Sequence, residues 1–281
     1  MHLKTLAIIF NCALTLAPVL AFCHERDTSK TEIYIIGVIH KHKPFRNADS
    51  MLVILNNIKP DLILAEMDTL TWMFNADFSL VVPIGWENEN QKLEFRKGIA
   101  PEDKATYLYA KKNQTVKVHP FDMTITNRKE YVVFLSGNKW QHALKKTHRK
   151  GLLTNELDSA YHSYFSSHKQ YKILRNLSYS QLNRASLVDS FRIIMNTENR
   201  AKLSLVEHVA VSPAKKNWLR RMITMDIERD KVMVENIIQF IGKTNARKVV
   251  VLTGFLHKPF LIDGLSAVSA QNNYRLIEYF E

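Results

Sequence analysis

Two apolar runs near opposite ends of the chain, EIYIIGVI at 32–39 and KVVVLTG at 248–254, constrain the fold more than any other feature. Both are rich in β-branched residues and read as strands. LILAE at 62–66, VKVHP at 116–120 and YRLIEYF at 274–280 have the same character. Between the first two runs, Met51, Leu52, Ile54, Leu55 and Ile58 recur at helical spacing, and Pro60 ends the pattern. Strands alternating with helices predict an α/β fold with a largely parallel central sheet flanked by helices. A chain of 281 residues, 46% hydrophobic, suffices for one large domain with a sizeable core. From about 124 to 224 long charged and aromatic segments replace the strands, which predicts a helical insertion within a single domain of residues 22–281. Tyr161, Tyr164, Phe165 and Tyr171 in that stretch read as packing residues.

Residues 1–21, MHLKTLAIIFNCALTLAPVLA, have one lysine, an apolar run and a Val19-Leu20-Ala21 ending, the layout of a signal peptide cleaved after Ala21. The chain is therefore expected to be exported, periplasmic or secreted. An uncleaved anchor and lipid attachment at Cys23 are the alternatives, and Phe22 stands where lipoprotein signals have a small residue. With Cys12 removed, Cys23 is the last cysteine, so neither an internal disulfide nor a thiolate zinc site is expected. The net charge is +12, clustered at 139–150 and at Lys215, Lys216, Arg220 and Arg221. No nucleic-acid-binding module accompanies it, so the basic faces are expected to be solvated, with peripheral envelope association as their further use and no nucleic acid as partner. The sequence also lacks a Gly-x-Ser-x-Gly elbow, a His-Glu-x-x-His helix and a phosphate-binding glycine loop.

The polar residues that stand out follow the strands. His40 comes after the first run, Glu66 ends the second, Asp122 follows the third and His257 follows the fourth. Ligands of open α/β sheets bind beyond the carboxyl ends of the strands. Gly37-Val38-Ile39-His40 and Gly254-Phe255-Leu256-His257 repeat one pattern, in which glycine allows close backbone approach and histidine emerges at the rim. Two imidazoles and a carboxylate suit a divalent metal, so His40, His257 and Glu66 are the expected metal ligands, with Glu66 as ligand or as catalytic base. Arg229 interrupts an apolar helical stripe of Met225, Met233, Ile237 and Ile241. It either pairs with a carboxylate at the site, stabilises an anionic transition state, or reaches water from an edge position. His42 reads as a turn residue, Asp68 and Asp122 as helix caps, and His119 as a packed neighbour.

At these residues the chain resembles the superfamily of Tiki, TraB/PrgY and GumN-like proteins, erythromycin esterases and the ChaN haem-binding lipoproteins. The resemblance rests on the two Gly-x-x-His motifs, on Glu66 in PDLILAEMD, and on the Arg229-Asp230-x-x-Met233-x-x-Asn236-Ile237 helix. Val38 stands where the Tiki/TraB branch has threonine, and Lys258-Pro259 where it has a glycine-bearing loop. The resemblance implies a metal-dependent peptidase in the Tiki branch, lactone hydrolysis in the esterase branch and haem binding in the ChaN branch. The expected function is an exported metal-dependent hydrolase of a peptide or small ester, with Glu66 and Arg229 as catalytic residues. A non-catalytic envelope protein binding haem or a peptide is the alternative.

Overall fold

The computed structural model describes residues 30–66, 72–74, 80–83, 100–123 and 137–280. The expected signal peptide, both cysteines, Asp68 and the start of the expected insertion at 124–136 lie outside the described residues. Alternating elements give β1 (Thr31–Val38), α1 (Ala48–Ile58), β2 (Leu62–Ala65), β3 (Trp72–Phe74), β4 (Leu80–Pro83), α2 (Pro101–Lys112) and β5 (Lys117–Pro120). Near the carboxyl end come β6 (Lys248–Gly254), α8 (Lys258–Val268) and β7 (Tyr274–Leu276). Five strands form one sheet in the order β5-β2-β6-β1-β7, and every pair in it is parallel. The fold is thus α/β with helices on both faces. β3 and β4 pair antiparallel as a separate ribbon that the sequence pattern does not announce. The last expected strand stops at Leu276, although the Ile277 amide still donates to the Ile33 carbonyl.

The strands are apolar on both sides because both faces of the sheet are covered. Ile33, Ile35, Leu62, Leu64, Val249 and Val251 face one layer, where Met233, Ile237, Leu261 and Leu265 pack. The alternate residues Ile36, Val38, Ile63, Val250 and Leu252 face Met51, Ile54, Leu55 and Ile58 of α1 and Ala105 and Tyr109 of α2. Asn47 and Ser50 close a capping box at the start of α1. Lys59 ends the helix in the left-handed conformation, φ 55°, immediately before Pro60.

Between β5 and β6 the described chain is helical: α3 (Gly137–Arg149), α4 (Asn155–Leu174), α5 (Tyr179–Leu182), α6 (Ala185–Val206) and α7 (Pro213–Lys243). These helices have their own core of Trp140, Leu144, Tyr164, Leu205, Leu219 and Ile223, with Tyr161 and Phe165 packed against it. The expected boundary near 224 falls inside α7, which runs on for 31 residues, about 46 Å. Its first half packs in the helical core and its second half on the sheet. Among the described residues no helix is long and apolar enough to cross a membrane.

Candidate active site at the carboxyl edge of the sheet

The two Gly-x-x-His segments lie side by side because β1 and β6 are parallel neighbours, with Val38 opposite Gly254. The Phe255 amide donates to the Val38 carbonyl at 2.8 Å. Each glycine answers to a neighbour's bulk. A Cβ on Gly37 would stand 3.0 Å from Phe255 Cδ2 and 3.2 Å from its Cα. A Cβ on Gly254 would meet His40 Nε2 at 3.3 Å, Glu66 Oε2 at 3.4 Å and His257 Cδ2 at 3.5 Å. The bare Cα of Gly254 is therefore the floor on which three of the four expected site residues converge.

Glu66 leaves β2, the neighbour of the central strand β6, and both its oxygens are engaged. Oε2 accepts from the Gly254 amide at 2.6 Å and from the Thr253 hydroxyl at 2.8 Å, and Oε1 accepts from Arg229 Nη2 at 2.6 Å. Burial opposes its charge, yet His257, Arg229 and His40 hold its carboxyl down at about 2. Arg229 is buried on the α7 stripe and reaches Asp122 as a fork, Nε to Oδ1 at 2.7 Å and Nη2 to Oδ2 at 2.6 Å. The expected partner of this arginine is thus a pair of carboxylates. Asp122 is a salt-bridge residue, although its Oδ1 also accepts from the following Met123 amide.

Each histidine is backed by a carboxylate that the sequence pattern does not reveal. His257 Nδ1 lies 2.5 Å from Asp230 Oδ1, and its Nε2 lies 3.0 Å from Arg229 Nη1. A guanidinium can only donate, so in the neutral ring Nε2 accepts and Nδ1 carries the proton toward Asp230. Burial opposes protonation of this ring, while Asp230 and Glu66 draw its pKa upward. His40 Nδ1 bonds to Glu102 Oε1 at the first turn of α2. The His40 side chain is half exposed; partial desolvation of the ring still opposes its charge, but the Glu102 carboxylate prevails and lifts the His40 pKa to about 9. Glu102 is buried, and among the described residues its Oε2 has no hydrogen-bond partner. Desolvation, reinforced by the Glu102 charge, raises the adjacent Asp103 to about 8.

The other expected polar residues fall away from this centre. His42 is exposed on the loop after β1, and His119 is buried against the Phe240 ring at 4.6 Å. Asn183, which carries no chemical signature in the sequence, accepts from the Gly37 amide at 2.6 Å and donates to its carbonyl at 2.9 Å. It ties the helical region to β1. Asp230 is signalled only by its place after Arg229, and Glu102 reads as an ordinary acidic residue of a helix start.

The donor types suit a divalent ion: two imidazoles oriented through Nδ1 by carboxylates, and a carboxylate held ionised. The guanidinium of Arg229 takes His257 Nε2 and Glu66 Oε1, so an ion and this arginine compete for the same two atoms. Among the described residues, the ligand atoms that already lie within 4.8 Å of one another belong to His148, Asp158 and His162. A cleft of ≈ 540 Å³ opens beside the centre between α6, α7 and α8, lined by Arg229, Asp230 and His257 and by apolar residues including Met195, Val234 and Phe260. Its size is that of a small-molecule site. No protein-family model matches the chain, and no curated protein or solved structure matches it either.

Proposed function

We propose that this chain is an exported metal-dependent hydrolase of ester or peptide bonds, in keeping with its resemblance to the Tiki/TraB and erythromycin esterase branches. The observation that carries the reading is the convergence of His40, Glu66 and His257 on the side-chain-free face of Gly254, with a carboxylate behind each imidazole. His40, His257 and Glu66 are the residues that would hold the ion. Among the described residues of the centre, the carboxylates of Glu66, Asp122, Asp230 and Glu102 outnumber the positive charges of Arg229 and of protonated His40, and a field of that sign draws a cation. When bound, the ion would polarise the scissile carbonyl and lower the pKa of a coordinated water.

The chain's own groups divide the remaining work. Of the two roles expected of Glu66, ligand fits better than base, since its three hydrogen bonds and depressed pKa leave little proton affinity. Arg229, held through Asp122, places a fixed positive charge where negative charge develops on the carbonyl oxygen. The adjoining cleft would receive the apolar part of the substrate.

The test is elemental analysis and a screen of chromogenic esters and peptide amides, after equilibration with manganese, cobalt or zinc. The comparison is between wild type and a His40→Ala, His257→Ala double variant. Loss of one equivalent of metal together with hydrolysis is the expected result. A folded double variant that keeps both metal content and hydrolysis unchanged overturns the reading.

A further inference from the structure

The basic segment 139–150 contains a histidine that the proposed active site does not use. We propose that His148 of α3, with Asp158 and His162 of α4, forms a second and independent binding site for a borderline transition-metal ion such as Zn(II), Co(II) or Ni(II). Asp158 and His162 are four residues apart on α4, so they share one face one turn apart. The connection between α3 and α4 is short and turns at Gly151, whose φ of 65° suits glycine. That turn returns the chain so that His148 Nε2 stands 3.0 Å from Asp158 Oδ1. His162 Nε2 stands 3.4 Å from Asp158 Oδ2.

All three ligand atoms lie within 4.8 Å of one another. Atoms that each bind one zinc at about 2.0–2.2 Å lie roughly 3–4 Å apart, so rotamer adjustment alone closes the site. The His148 ring is held in place by stacking on Tyr161, centroids 4.0 Å apart and planes 2° apart. Preorganisation of this kind lowers the entropic cost of binding. The three side chains are 34%, 42% and 66% exposed, which leaves solvent to complete the coordination. Two imidazole nitrogens and one carboxylate form a donor set for zinc, cobalt or nickel rather than for magnesium or calcium. A bound ion would clip α3 to α4, tethering two helices of the insertion.

The experiment titrates Co(II) and Zn(II) into the purified chain by calorimetry, with the Co(II) visible spectrum as a second readout. The His40→Ala, His257→Ala variant is expected to keep one equivalent of metal. Adding His148→Ala and His162→Ala to that variant is expected to weaken the remaining equivalent more than about 100-fold, beyond what outer-shell changes cost. Should that pair fail to fold, His162→Ala alone, at an exposed helix position, carries the same expectation. Zn(II) should also raise the Tm of the His40→Ala, His257→Ala variant, and that rise should disappear when His148→Ala and His162→Ala are added. Absence of metal uptake by the His40/His257 variant, or uptake by that variant that survives further loss of His148 and His162, overturns the proposal.

Discussion

A methyl group on Gly254 would stand 3.3 Å from His40 Nε2 and 3.4 Å from Glu66 Oε2, so Gly254→Ala displaces the centre without removing any of its groups. The expected outcome is a folded protein destabilised by about 1–3 kcal/mol, with the proposed hydrolysis lost and the His40 ring resonances shifted in NMR. His40 gives a second test at this scale. Its raised pKa means that the His40–Glu102 pair stabilises the fold fully below the unfolded imidazole pKa of about 6.5. That contribution is lost as pH rises through about 9. In metal-free protein His40 should titrate near 9 by NMR, and Glu102→Gln should bring it down; an unchanged midpoint would deny the pairing. His40, Glu66, Arg229 and His257 were legible in the sequence because a repeated glycine-histidine step and a charge on an apolar stripe are rare patterns. Glu102 and Asp230 were not, since a carboxylate at a helix start or beside an arginine is what any solvated helix shows.

At the scale of elements, the strands were legible to within a residue or two wherever both faces are buried, because burial on both sides demands an uninterrupted apolar run. β7 has only three residues at the sheet edge, so its sequence promised more pairing than the structure makes. The end of the insertion was illegible for a different reason. The long α7 has no break at which a boundary is written, and its Arg229 joins it to the segment after β5 through Asp122. Asp122→Ala should cost about 3–5 kcal/mol, because it strips a buried guanidinium of a two-point partner. A denaturation midpoint shifted by much less would mean that Glu66 and His257 satisfy the arginine without Asp122.

For the whole molecule, Phe191 of α6 packs on Phe255 beside the centre, rings 5.3 Å apart, and Asn183 pairs with both polar groups of Gly37. The site is thus continuous with the helical region as well as with the sheet. β1 and β6, which carry the two glycine-histidine steps, pair with over 200 residues of chain between Val38 and Gly254. Closing a loop of that length costs on the order of 5 kcal/mol in entropy before the pairing returns anything. Local helices can form early, whereas the central strand pair waits for a distant segment, which slows folding. The centre is therefore assembled late: a partly folded chain can hold most of its helices and still have no place where His40 and His257 meet.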